Sequence, residues 1–304
     1  MSKYYYYSLN DYFKQKFKEK VYKISLDSGF NCPNRDGTKG VGGCIYCNNE
    51  SFVNIEGNGV KEQVHNAINR LSERGIKKYI LYFQAHSNTY GSLEDIKRSI
   101  ELALIDNNIV GIYIGTRPDT IDEDKLKYLS SLNNKYDVFL EYGLQSMHDK
   151  TLEFINRGHT LKDFEHAFFL TKHMGLKVCV HIIFGLPYET RDMMLETVSC
   201  LANLGIDAIK FHHLQIVKNT KLADIYNKSP FTLYTEEEYI EIIAKSLGVL
   251  SPEVIIARLI GSTKKDLLIA PDWPISTVDF LNKLKSFMIH NKIYQGKYYN
   301  ASLL

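Results

Sequence analysis

The chain has 304 residues, 44% of them hydrophobic and 24% charged, with a formal net charge of +2. This is enough apolar material for one large domain with a full core, and the composition excludes a disordered, collagen-like or disulfide-scaffold protein. A near-neutral balance neither demands nor forbids a nucleic-acid partner, and no apolar run approaches the ~18 residues of a membrane span, so a cytoplasmic protein without membrane contact is expected.

The first twenty residues are aromatic and basic, with Tyr4 to Tyr7 followed by Phe13, Lys14, Lys16, Phe17, Lys18 and Lys20. Two readings fit: lysines on phosphates beside tyrosines that stack on bases, or an amphipathic helix around Phe13 and Phe17 whose lysines are merely solvated. From residue 21 a regular alternation sets in. Short runs rich in β-branched and aromatic residues are each followed by a stretch of helical period, the pattern of βα units on a parallel sheet. Strands are expected at 21–26, 78–84, 111–116, 138–145, 177–184 and 208–214, and helices at 60–74, 93–106, 122–132, 161–174 and 191–204. Gly75, Gly175 and Gly205 stand where helix C-caps belong. Past residue 214 the alternation stops. A helix at 218–226, one N-capped by Thr235 with acidic Glu236, Glu237 and Glu238, a strand at 254–259 and a last helix at 276–290 are expected to form an α-rich extension, 216–304, packed on the core 21–215.

Ligands of parallel sheets bind outside the carboxyl ends of the strands, and the residues there are unusually polar for a buried sheet. They are Gln84-Ala85-His86, Thr116-Arg117-Pro118-Asp119, Glu141 with Gln145-Ser146, His181, and His212-His213. Glu141 and Gln145, four apart on one strand, share a face, and an inward carboxylate is costly unless something pairs with it. His181 suits either the sheet interior or a satisfied core position. His212 and His213 must point to opposite faces, so at most one can face inward.

The first strand runs into Asn31-Cys32-Pro33-Asn34-Arg35-Asp36-Gly37-Thr38-Lys39-Gly40-Val41-Gly42-Gly43-Cys44-Ile45-Tyr46-Cys47. Cys32, Cys44 and Cys47 admit three readings. Zinc would need a fourth ligand, for which His86 or Cys179 is conceivable. A redox Cys44-Ile45-Tyr46-Cys47 would leave Cys32 idle. An iron–sulfur cluster on three thiolates would keep one iron open to an exogenous molecule. The other two cysteines, Cys179 in an apolar strand and Cys200 on a helix face, read as structural.

A first-strand loop of three cysteines ending in cysteine-x-aromatic-cysteine, on a chain of βα repeats, resembles the radical S-adenosylmethionine (radical SAM) superfamily. The long gap between Cys32 and Cys44 departs from the superfamily's commoner spacing and is similar to the branch that contains the catalytic subunit of Elongator. Within it, Ser25-Leu26-Asp27-Ser28-Gly29-Phe30-Asn31-Cys32-Pro33-Asn34-Arg35-Asp36-Gly37, Gly143-Leu144-Gln145-Ser146, Ile155-Asn156-Arg157-Gly158-His159 and Asp266-Leu267-Leu268-Ile269-Ala270-Pro271-Asp272-Trp273 resemble a bacterial family of stand-alone proteins. The likeness covers nearly the whole chain.

It implies an α/β fold, a partial (β/α)6 TIM-like barrel, with a [4Fe-4S] cluster on Cys32, Cys44 and Cys47. The open iron would bind the amino and carboxylate groups of S-adenosylmethionine, and an electron from a donor such as flavodoxin or ferredoxin would release a 5′-deoxyadenosyl radical. The resemblance places Tyr46 near the adenine. Glu141 and Gln145 are candidates for the methionine ammonium or the ribose hydroxyls, Arg157 for the carboxylate, and His181 for the lumen. The family's glycine-glycine-acid segment on the second strand is replaced by Phe83-Gln84-Ala85-His86, with Gln84 as the substitute. Glycines 37, 40, 42 and 43 would give positive φ and close approach to the cluster. The expected substrate is a tRNA base, a wobble-uridine side chain, because the Elongator subunit acts there; acetyl transfer is not expected, since too little chain follows the last strand for an acetyltransferase domain. A radical enzyme acting on a small metabolite or a protein, and a metal-stabilised RNA or protein adaptor, are the rivals.

Overall fold

A computed structural model describes residues 5–51 and 55–300; Tyr4 lies outside the described residues. The amphipathic reading of the N-terminal segment is realised as α1 (Leu9–Phe17), which Ser8 and Asp11 start with a capping box. There follow β1 (Val21–Leu26), α2 (Val60–Ser72), β2 (Lys78–Phe83), α3 (Leu93–Ala103), β3 (Ile109–Thr116), α4 (Glu123–Leu132) and β4 (Asp137–Gln145). Next come α5 (Asp149–Phe154), α6 (Leu161–His173), β5 (Lys177–Phe184), α7 (Arg191–Leu204) and β6 (Ala208–His213). The extension holds β7 (Ile216–Val217), α8 (Lys221–Lys228), α9 (Glu236–Val249), β8 (Ile255–Arg258), β9 (Leu268–Ala270) and α10 (Thr277–His290). Gly75, Gly175 and Gly205 take φ of 72°, 72° and 71°, the left-handed conformation that ends a helix without steric cost.

Seven of the described strands form one parallel sheet in the order β1-β2-β3-β4-β5-β6-β8, a curled partial barrel with helices around it, while β7 and β9 pair antiparallel with each other. The extension does more than pack on the core. Its strand β8 pairs in parallel with β6, Ala208 opposite Ile255, so the sheet gains a seventh strand. The apolar run Val254-Ile255-Ile256, buried in this position, covers an edge whose backbone groups would otherwise be unpaired.

Two cores flank the sheet. The outer one joins Leu81, Ile112, Leu140, Val180 and Ile209 to the helices, and the inner one gathers Ile80, Tyr82, Tyr113, Phe139 and Cys179 beneath Phe13 of α1. Burial of Phe13 contributes about 1.5–3 kcal/mol, and α1 thereby closes the amino end of the barrel. Ser8 bridges to Ile256 of β8, and Ile256 N donates to Tyr7 O at 2.8 Å. Inside this plug the buried Asp137 carboxylate accepts from Tyr12 (2.8 Å) and Tyr113 (2.9 Å) and pairs with Lys177 (2.7 Å) and Lys16. Lys14, Lys18 and Lys20 are exposed on the same end. No helix among the described residues is long and apolar enough to cross a membrane.

Candidate functional site

The open end of the barrel is built around the loop between β1 and α2. Cys32 O accepts from Arg35 N (2.8 Å), Gly43 N donates to Asn34 O (2.7 Å), and Cys47 N donates to Cys44 O (3.0 Å), so short-range bonds fold the loop on itself. Gly37, Gly42 and Gly43 have φ of 91°, 81° and 82°. Gly40 serves by size instead: a Cβ there would lie 2.3 Å from Asn34 Oδ1.

The segment after α5 then grips the loop. Asn156 Nδ2 donates to Gly43 O at 2.8 Å, Ile45 N donates to Ile155 O at 3.0 Å, and Asn34 Nδ2 reaches both Asn156 O and, at 3.6 Å, Cys44 Sγ. Arg157, buried, donates from Nη1 to Cys44 Sγ at 3.4 Å and from Nε and Nη2 to Gly143 O at 3.1 and 2.6 Å. Arg117 in turn holds Arg157 O (2.8 Å) and is neutralised by Asp119, which Lys39 also pairs at 2.8 Å. Burial pushes both Cys44 and Asp119 up, but the cations win: Arg157 and Arg117 leave the Cys44 thiol below its ordinary value, and Arg117 and Lys39 bring Asp119 down to about 2. Cys47 goes the other way, raised by burial and by its neighbour Cys44.

Cys32, Cys44 and Cys47 line a single cavity of about 250 Å³, and Tyr46, Gln84, Glu141, Gln145, Arg157 and His181 line the same cavity. The sequence-derived candidates therefore meet at one place, although not all in the expected way. Glu141 is already paired, with Lys23 at 2.9 Å, His181 Nε2 at 2.9 Å, and Lys210. Burial opposes its charge, yet Lys210 and Lys23 hold it well below the usual carboxylate range. The reason for assigning Glu141 to a bound ammonium, an inward carboxylate without a partner, is thus removed. Arg157 directs one donor from each of its three nitrogens to Cys44 and Gly143, so part of its guanidinium is engaged by the loop itself. His181 takes the lumen position and stacks on His212 (ring centroids 5.7 Å apart); His213 stacks on Trp273 at 4.2 Å. Gln145 has φ of 77° at a register shift between β4 and β5, so strict alternation does not by itself place it with Glu141.

The model of the Radical SAM superfamily matches residues 31–201, and that of the Radical_SAM C-terminal domain matches residues 206–290. The chain belongs to the radical SAM superfamily. It is 36% identical to the protein YtqA of Bacillus subtilis over 97% of this chain and 92% of that one. It is also 29% identical to the tRNA uridine(34) acetyltransferase of Methanocaldococcus jannaschii, over 55% of this chain and 31% of that protein. Among solved structures, the archaeal Elp3 of Methanocaldococcus infernus superposes with a TM-score of 0.71 at 17% identity, covering 91% of this chain and 64% of that one, which is a likeness of fold.

This radical SAM enzyme uses a [4Fe-4S] cluster and S-adenosylmethionine, the cofactors of its superfamily. The cavity fits them. Three thiols face it together, a cation already lies against one of them, and three residues of its wall carry buried polar atoms without a partner among the described residues, Asn49 Nδ2, His86 Nδ1 and His213 Nδ1. His86 also adopts φ of 59°, a left-handed conformation costly for a non-glycine residue, at the position of the family's glycine-glycine-acid segment. Cys179 stands apart from the loop, among the apolar residues of the inner core, and Cys200 lies on α7, as expected of structural cysteines.

Sequence reasoning placed Arg117 at a strand end without giving it a role, and it missed Asn34, Lys23 and Lys210. A lysine in the middle of an apolar strand, as at Lys210 in Ala208–His213, is the one local signal available, because a buried ammonium requires a partner.

Proposed function

We propose that Cys32, Cys44 and Cys47 hold the [4Fe-4S] cluster and that the enzyme modifies a base of tRNA, a wobble-uridine side chain. The observation that carries the first half is the convergence of three thiols on one cavity with Arg157 against Cys44. The cofactors supply the one-electron cleavage that yields a 5′-deoxyadenosyl radical; the protein supplies position and exclusion of water. Arg157 holds Cys44 and the turn at Gly143, and its charge favours the thiolate that ligates iron. Tyr46, beside Cys44 and Cys47, presents a ring to the cavity for the adenine. Gln84 and Gln145 offer amides for the polar groups of S-adenosylmethionine. Glu141, with Lys23, Lys210 and His181, forms the rigid floor beneath them.

The tRNA assignment draws on the similarity to a tRNA uridine(34) acetyltransferase over 171 residues. Nucleoside mass spectrometry of total tRNA with and without the gene tests it: a modified uridine should disappear and its precursor accumulate in the deletion strain. An identical nucleoside profile would move the substrate to a small metabolite or a protein.

A further inference from the structure

The cations of the barrel's open end can be accounted for one by one. Arg117 is held by Asp119, Arg157 by Cys44, and Arg35 by the carbonyl of Cys47 at 2.8 Å. Lys23 and Lys210 share the single carboxylate of Glu141, and Lys210 also donates to Tyr82 at 3.0 Å. Arg258 is left over. It ends β8 in register with Lys210 and lines the cavity beside Tyr82, His181 and His212, and among the described residues its side chain has no ion pair or hydrogen bond.

Nothing else in the wall compensates it. Among the described residues, Glu141 is the only carboxylate lining the cavity. His181 and His212 are both pushed down by burial, His181 to about 4, so they stay neutral and add no charge of either sign. Burial brings Lys210 down to about 7; even with Lys210 neutral, Lys23 balances Glu141 and Arg258 remains. An uncompensated guanidinium in a partly buried cleft is unfavourable unless a ligand brings the counter-charge. The same excess of cations argues against a metal at Glu141, Cys179 and His181, whose ligand atoms lie within 4.8 Å of one another, because ammonium groups already occupy both carboxylate oxygens.

Arg258 shares the cavity wall with further donors. The loop that follows β8 lays Gly261 against His212, His213 and Gln215 and brings Ser262 and Thr263 to the cavity; Thr263 Oγ1 donates its proton to Gln215 Oε1 at 2.7 Å, which leaves the Ser262 hydroxyl and the loop's backbone N–H groups as donors. A guanidinium, a hydroxyl and the backbone N–H groups of a loop on one wall are a donor set suited to a tetrahedral oxyanion. We propose that Arg258, with Ser262 and Thr263, forms the substrate's anion subsite and seats a phosphate group of the molecule that the radical attacks. The subsite is built by β8 and the loop after it, in the cavity that the cysteines also line, and a backbone phosphate beside a tRNA base meets its chemistry as well as a small phosphorylated substrate does; the first case rests on the tRNA reading above, the second does not.

The test is calorimetric titration of the cluster-reconstituted full chain with inorganic phosphate, with an anticodon stem–loop RNA and with S-adenosylmethionine, for wild type, Arg258→Gln and Arg258→Lys. Loss of a charged hydrogen-bond donor should weaken phosphate or RNA binding about tenfold or more in Arg258→Gln and much less in Arg258→Lys, with S-adenosylmethionine affinity unchanged. Should Arg258→Gln not retain the cluster, Ser262→Ala in the Arg258→Lys background supplies the second comparison and should weaken the anion further. Binding of phosphate that depends on Arg258, with RNA binding indifferent to it, would keep the anion subsite while overturning the tRNA reading. Equal affinities of all variants for both anions, or a loss confined to S-adenosylmethionine, would overturn the subsite itself.

Discussion

Strand β4 carries two buried carboxylates four residues apart, and they have opposite surroundings. Asp137, at the amino end, is closed in by two lysines and two tyrosines under α1, with every partner belonging to the fold. Glu141, at the open end, has two lysines and a histidine, but an unpaired Arg258 and a cavity lie beside it. One end of the barrel is electrostatically complete and the other has a cation to spare. The difference separates a structural charge cluster from a binding one more clearly than burial does, since both carboxylates are fully buried.

The strongest way to break this comparison is at the cysteines. Cys44→Ala should remove the iron and sulfide bound per chain and the visible absorption that goes with them, while far-ultraviolet circular dichroism stays that of wild type because the closed end is untouched. Full retention of iron and sulfide would sink the ligand assignment.

The two carboxylates themselves come next. Glu141→Gln leaves Lys23 and Lys210, only 18% and 4% exposed at the side chain, without a counter-charge; breaking a buried pair in this way costs about 3–5 kcal/mol. Asp137→Asn should cost less, because Lys16 and Lys177 are 37% and 30% exposed and can turn to water. Denaturant midpoints of the two variants decide, and a larger loss for Asp137→Asn would reverse the comparison. The pH dependence has one sign at both ends. Both carboxylates are depressed, Glu141 from 4.5 and Asp137 from 3.8, by lysines that outweigh their burial. Their stabilisation is therefore present above about pH 4.5 and drains away as the pH falls through the depressed folded values.

How much of this was legible follows from the range of the contacts. Strand β1 and strand β5 are found within the expected bounds, because a parallel strand is written locally in β-branched and apolar runs. The helix α5 is six residues long, too short to show a period. That β8 joins the main sheet depends on the vacant edge of β6, which no window around residues 254–259 contains. The same holds for the site. Cysteine spacing identified the three thiols, but the partners of Glu141 come from 118 residues before it and 69 after it, so an inward carboxylate read from alternation alone looks unpaired.

A smaller effect is expected at Gly143. A Cβ there would stand 2.7 Å from both Arg157 Nη2 and Gln145 Nε2, so Gly143→Ala must push Arg157 away from Gly143 O and Cys44 Sγ. The atoms that must yield are the ends of two flexible side chains, so the fold itself should be little affected, while the displaced guanidinium should speed the loss of iron to a chelator. A loss rate equal to that of wild type would show that Arg157 does not secure the cysteine loop.

The smallest effect should come from the lysines of the closed end. Lys14, Lys18 and Lys20 are exposed there, and α1 is held by Phe13 against the inner core and by Tyr12 and Lys16 on Asp137, so the helix has a structural task that needs none of these three lysines. Lys16 is excluded from the set because it pairs with Asp137. Replacing the other three by glutamate should leave the salt dependence of RNA binding unchanged; were these lysines seated on phosphates, each one removed would lower the slope of log K against log salt by roughly one. A slope reduced by two or three would mean that RNA wraps around to the closed end, and the two ends of the barrel would then share the work of binding.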